Sequence, residues 1–116
     1  MANKGWIGVD LDGTLAFYDG WRGENHVGAP IAPMVNRVKM WLSEGKTVKI
    51  FTARVSGLNP TESEYHIVMD AINDWALEHI GQELEVTCSK DYYMVELWDD
   101  RCVQVETNTG RAITDG

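Results

Sequence analysis

Asp10 and Asp12 stand two apart in Val9-Asp10-Leu11-Asp12-Gly13-Thr14-Leu15, directly after the apolar run Trp6-Ile7-Gly8-Val9. A strand over Trp6–Val9 carries both aspartates past the sheet edge, to where Gly13 turns the chain. Residues i and i+2 of an extended strand share a face. Two carboxylates held that close repel unless a cation or a shared proton relieves them. The pair therefore fits a divalent metal site with one carboxylate free for chemistry. The plainer alternative is an ordinary Asp-Gly turn after a strand.

Other residues extend the same chemistry. Asp99-Asp100 follows the apolar strand Val95–Trp98. Alone it reads as a solvated acidic turn, with Arg101 available to neutralise part of it. Beside Asp10 and Asp12 it would concentrate four carboxylates on one rim, a set that calls for Mg²⁺, which prefers oxygen ligands. Thr52 can donate its hydroxyl to a phosphoryl oxygen, or it is simply a β-branched strand residue. Lys90 can neutralise a phosphoryl oxygen or the carboxylates, or it is a solvated loop lysine. Arg54 can clamp phosphate with its forked guanidinium, or pair at the surface with Glu62 or Glu64.

Together these residue types suit phosphoryl transfer. One carboxylate attacks phosphorus and forms an aspartyl-phosphate. A second protonates the leaving oxygen and then deprotonates the hydrolytic water. Magnesium and the cations hold the developing charge.

The elements that must position these groups follow from spacing. Trp6–Val9 is predicted as a short buried strand. Residues 16–31 hold three glycines and a proline, which exclude a long helix and predict a loop or flap. Tyr18, Trp21 and His26 lie on that loop, either packed on the domain's own surface or in contact with a base or sugar. Pro33 suits the first turn of a helix. Met34, Val35, Val38, Trp41 and Leu42 then recur with helical spacing, and Gly45 is a C-cap. Thr47–Phe51 is a strand, followed by a polar connector over 55–62. A second helix is expected over Ser63–His79, with Ile67, Val68, Ala71, Ile72, Trp75 and Ile80 as its apolar positions and Gly81 closing it. Met69 and Trp75 read as core. Glu85–Cys88 and Val95–Trp98 read as further strands, Cys102–Val105 as a last one, and Asn108 onward as a frayed tail.

This order predicts an α/β domain with a mostly parallel central sheet. Its crossovers should be right-handed and helical. Ligands in such sheets collect at the carboxyl ends of the strands. Asp10/Asp12, Thr52, Ser89/Lys90 and Asp99/Asp100 all fall at that edge.

Composition narrows the partners. A chain of 116 residues makes one domain, 1–116, and 44% apolar residues with five tryptophans supply a core. The net charge of −8 argues against a broad footprint on duplex nucleic acid. It leaves room for a small phosphorylated ligand held by a metal and a few local cations. No apolar run approaches the ~18 residues of a membrane span, and the first residues carry no secretory h-region. Cys88 and Cys102 make neither a metal-ligand spacing nor a disulfide framework. They are expected to be reduced, mostly buried thiols in a cytoplasmic protein.

Asp10-Leu11-Asp12-Gly13-Thr14-Leu15 resembles motif I, DxDGT[LV], of the haloacid-dehalogenase-like (HAD) superfamily of phosphohydrolases. Val48–Thr52 resembles its motif II, Lys90 its motif III, and Asp99-Asp100 the DD form of its motif IV. The resemblance spans roughly residues 5–101. It implies a three-layer, Rossmann-like fold. It also implies that Asp10 is the nucleophile and a magnesium ligand, and that Asp12 is the general acid/base, binding the metal through its backbone carbonyl. Thr52 and Lys90 would hold the phosphoryl group, with Ala53 and Arg54 beside them. Asp99 would bind magnesium, assisted by Asp100. Neither gap between motifs can house a cap domain, so the chain resembles a minimal capless phosphatase. Capless sites are open, which suits bulky phosphate esters or a covering homodimer. Thr52-Ala53-Arg54 with Asp99-Asp100-Arg101 is also similar to the phosphatase domain of phage-type polynucleotide kinase/phosphatases. A nucleotide or a polynucleotide end is thus among the substrates implied, although the acidic charge weighs against the latter. The alternatives are a receiver-like phosphoacceptor domain and a non-catalytic metal- or phosphate-binding module. The Gly-Thr that follows the spaced acidic pair fits a receiver poorly.

Overall fold

A computed structural model of the chain describes residues 5–113. Four strands, β1 (Trp6–Asp10), β2 (Thr47–Phe51), β3 (Val86–Thr87) and β4 (Met94–Trp98), form one all-parallel sheet in the order β3-β2-β1-β4. Two helices, α1 (Ala32–Ser43) and α2 (Ser63–His79), connect the first three. The α/β, Rossmann-like architecture expected from the sequence is present, and no cap is evident among the described residues. No helix among them is long and apolar enough to cross a membrane.

Each helix forms where spacing and punctuation agree. α1 begins with Pro33 in its first turn and ends where Gly45 takes a positive φ of 82°. That left-handed conformation is free of steric cost only for glycine. α1 buries Met34, Val35, Val38 and Trp41, and α2 buries Val68, Ile72, Trp75 and Ala76. Both stripes join Ile7, Val9, Val48 and Ile50 of the sheet in one core. Burying each valine, isoleucine or methionine among them contributes about 1.5–3 kcal/mol. Ile67, expected in this core, is instead 47% exposed, on the outer side of α2.

The second sheet face is built differently. Trp6 is buried but stands outside that core. Its indole donates to Asp91 Oδ1 at 2.8 Å and carries the Lys49 ammonium 4.5 Å from its ring centroid. Because β3 and β4 lie at opposite edges, the connection 88–93 must return across the sheet. The Asp91–Trp6 bond ties it to the face the helices leave open. With both helices on one face and this return on the other, every crossover has the same, right-handed sense.

The β1–β4 register contains a shift that positions the site. Trp6 pairs with Met94, but Ile7 pairs with Glu96, so Val95 bulges out of the ladder and is 65% exposed. A bulge inserts one extra residue and re-aims the strand beyond it. Here it brings Val9 opposite Trp98, so that Asp10 and Asp99 leave their strands side by side.

Several local expectations are corrected. No strand forms over Cys102–Val105. Instead Val105 bridges Ala112 in a small hairpin, with Glu106 N donating to Arg111 O at 2.7 Å and Arg111 paired to Glu106. The expected frayed tail is thus ordered as far as Ile113; residues 114–116 lie outside the described residues. Cys88 and Cys102 are both exposed rather than buried, because each stands just beyond a strand rather than on its core side.

Candidate functional site

The turn after β1 is pinned from within. Leu11 and Leu15 are fully buried, while Asp10 before them and Asp12, Gly13 and Thr14 between them stay partly open. The amides of Leu15 and Ala16 donate back to Leu11 O at 3.0 and 2.8 Å, and Gly13 N donates to Ala16 O at 2.8 Å. The apolar pair anchors the turn and the polar residues are presented by it. Gly13 has φ +93°, and a Cβ placed there would stand 2.6 Å from Asp100 Oδ2. Glycine is therefore required twice, for its backbone conformation and for the approach of Asp100.

The two aspartates of the turn diverge. Asp10 faces Asp99 and Asp100, and one carboxylate oxygen from each of the three lies within 4.8 Å of the others. Thr14 Oγ1 lies 3.4 Å from Asp10 Oδ2 and 3.5 Å from Asp100 Oδ1. Burial, then the charge of Asp99 and contact with Asp100, push the Asp10 carboxyl up to about 7. Asp12 turns away to Arg54, which donates Nε to Oδ2 at 2.8 Å and Nη2 to Oδ1 at 2.7 Å. The Asp12 carboxylate is therefore outside the acidic trio.

Arg54 does not pair with Glu62 or Glu64. Besides Asp12 it donates Nη1 to the His26 carbonyl at 2.7 Å, and its guanidinium lies 5.0 Å from the Trp21 ring centroid. It thus ties the turn after β1 to the flap 16–31. Thr52 is buried at the end of β2, and its hydroxyl accepts the Arg54 amide at 3.1 Å, leaving its own proton to donate.

A cavity of about 500 Å³ opens at the carboxyl ends of β1, β2 and β4. Asp10, Asp12, Thr52, Ala53, Arg54, Asp99 and Asp100 all line it, as the sequence placed them. Its position obeys a general rule. The connection that leaves β1 and the one that enters β4 run over opposite faces of the sheet, and ligands bind at such switch points. Lys90 is the exception: it follows β3 at the same edge but is exposed and does not line the cavity. Ser89 beside it bonds only locally, with Thr87 and Cys88. His26 contributes its backbone rather than its ring. The sequence did not single out Phe51, and Arg101 entered as a counter-charge and in the resemblance to polynucleotide kinase/phosphatases rather than as a site residue; both line the cavity. Nothing in the sequence distinguishes Phe51 from an ordinary strand residue.

No family model matches the chain, and no curated protein matches it. Among solved structures, it is similar to a conserved protein coded by a locus of Bacteroides thetaiotaomicron. The TM-score is 0.57 at 20% identity, over 84% of this chain and 77% of that one. At that identity the likeness shows the fold alone.

Proposed function

We propose that this protein is a magnesium-dependent phosphomonoesterase in which Asp10 forms an aspartyl-phosphate. The observation that carries this reading is the meeting of Asp10 with Asp99 and Asp100 at the switch point, with Asp12 and Thr52 lining the same cavity. The cluster suits the ion: its donors are all oxygens, as magnesium prefers, and the three carboxylates crowd one another in a way a cation relieves. Asp10, Asp99 and Asp100 would hold it. When bound, the ion would neutralise phosphoryl oxygens and the cluster itself.

The chain's own groups divide the remaining work. Asp10 attacks phosphorus, and the bond from phosphorus to the ester oxygen breaks. Asp12 gives its proton to the departing oxygen. It then takes a proton from the water that attacks the aspartyl-phosphate, releasing inorganic phosphate and restoring Asp10. Both Asp12 oxygens accept from Arg54, and each keeps a second lone pair for the transferred proton. The Thr52 hydroxyl donates to a phosphoryl oxygen. Lys90 serves in this reading once its exposed side chain turns toward the cavity.

Purified protein with Mg²⁺ and p-nitrophenyl phosphate should release phenolate. Asp10→Asn should abolish the release, and chelation should stop it reversibly. Absence of turnover across a panel of phosphate esters, with metal bound, overturns the proposal. So does a phosphorylated Asp10 that persists for hours after its donor is removed, since that is phosphoacceptor behaviour.

A further inference from the structure

We propose that the ester accepted by this site carries a planar aromatic ring, as a mononucleotide does, and that Trp21 and Tyr18 bind that ring. Recognition of the phosphate rests on the phosphatase reading; recognition of the ring rests on the flap. The cavity of about 500 Å³ exceeds what a phosphoryl group fills. It falls within the roughly 300–1,000 Å³ typical of pockets for whole small molecules. Its walls differ in chemistry. Carboxylates and Thr52 make one part; the flap contributes Tyr18 and Trp21 to another.

Those two rings are not core residues. Tyr18 is 42% and Trp21 57% exposed, whereas Trp6, Trp41 and Trp75 are nearly fully buried. A single exposed aromatic is unremarkable, but here two share the wall of the cavity that holds the acidic trio. The flap that carries them is anchored at its base, and Trp21 also at its ring. Phe17 N donates to Ala29 O, Ile31 N to Leu15 O, and the Trp75 indole to Gly28 O, each at 2.8 Å. Arg54 lies on the Trp21 ring and holds the His26 carbonyl. A platform fixed before binding spares the ligand the cost of ordering it. Stacking on such a platform accepts any base, because every base has a π-face.

Charge favours a mononucleotide over a polynucleotide end. The net charge is −8, and two flap-side arginines are already committed, Arg22 to Asp19 and Arg54 to Asp12. Arg101 on the cavity wall and Lys90 at the same sheet edge are too few for a phosphate backbone to follow.

The test compares adenosine 5′-monophosphate with ribose 5-phosphate, in which a hydroxyl replaces the aromatic base. With the Mg²⁺-bound protein, kcat/KM should favour the nucleotide by at least about fivefold, the lower end of base–aromatic stacking. The preference should collapse toward unity in Trp21→Leu and shrink in Tyr18→Leu. The same pair is titrated calorimetrically into Asp10→Asn protein with Mg²⁺, where the nucleotide should again bind at least about fivefold tighter. If no ester is turned over but this binding preference holds, the phosphatase reading fails and ring recognition stands. A preference below about fivefold in binding, or one that survives Trp21→Leu, overturns the ring proposal. So does a 3′-phosphorylated oligonucleotide that binds about tenfold tighter than the mononucleotide.

Discussion

Arg54 grips both carboxylate oxygens of Asp12, at 2.8 and 2.7 Å, across 42 residues of sequence. The guanidinium side chain is 6% exposed and the carboxylate 20%, so the pair is largely withdrawn from water. The same guanidinium reaches the flap through the His26 carbonyl and Trp21. One side chain thus couples the proposed proton-handling residue to the wall proposed to bind substrate.

Breaking that pair should be costly from either side. Removing one partner of a buried ion pair strands the other, at about 3–5 kcal/mol for a fully buried case. Because Asp12 keeps some access to water, Arg54→Ala should lower unfolding free energy by about 2 kcal/mol in urea denaturation. Arg54→Lys should recover little, since an ammonium cannot make the forked contact. Hydrogen exchange should quicken in the flap of both variants.

Asp10 sits in an environment that resists its charge. Its carboxyl is raised from 3.8 to about 7, so the folded chain holds that proton more tightly than the unfolded one. Metal-free stability should therefore fall as pH rises from 3.8 toward about 7, then level off. Asp10→Asn should lack this fall. In chelator at alkaline pH it should exceed the parent by about 1 kcal/mol, a figure reduced for solvent screening of a half-open site. Added Mg²⁺ should restore the parent but help the variant less, measured by thermal unfolding.

At Gly13 the substitution to alanine should damage the metal cluster without touching a carboxylate. The added Cβ meets Asp100 Oδ2 at 2.6 Å at a backbone φ of +93°. Gly13→Ala should cost about 1–2 kcal/mol of stability. Mg²⁺ affinity should weaken about tenfold by calorimetry, about the loss expected when a ligand's support is disturbed.

Trp75 serves the core and the flap at once. Its buried ring packs in the core while its indole N–H holds Gly28 O at 2.8 Å. Trp75→Phe should remove about 1 kcal/mol through the lost hydrogen bond. It should also raise amide exchange over 16–31 more than over α1. Gly28→Ala should be worse, because its Cβ would fall 2.0 Å from Phe17 O, a backbone atom that cannot turn aside.

Asp91 supplies an acid-sensitive contact on the other sheet face. The Trp6 indole and the Tyr93 amide hold its carboxyl below the ordinary 3.8. A depressed carboxylate stabilises the fold above its unfolded value and loses that contribution as pH falls through the folded one. Asp91→Asn should therefore be less stable than the parent at neutral pH, and the gap should close below pH 3.8. Acid titration followed by tryptophan fluorescence reads it directly.

Much of this molecule is determined locally. Ser63–His79 is helical because its apolar residues recur with helical spacing. Leu11 and Leu15 bury themselves and so present Asp10, Asp12 and Thr14, an arrangement written in six consecutive residues. Short apolar runs ending in Asp10, Thr52 and Asp99 suffice to place those groups on one sheet edge. Long-range choices are different. That Arg54 takes Asp12 rather than Glu62 or Glu64 depends on how closely β1 and β2 bring their ends together. The exposure of Cys88 and Cys102 depends on where β3 and β4 end, which their pairing partners set. The bulge at Val95 sets the register that makes Asp99 the neighbour of Asp10, and pairing register is a property of two strands, not of either alone. The sequence by itself determined which carboxylates reach the rim; only the tertiary structure decided which of them meet there, because their partners lie on other strands.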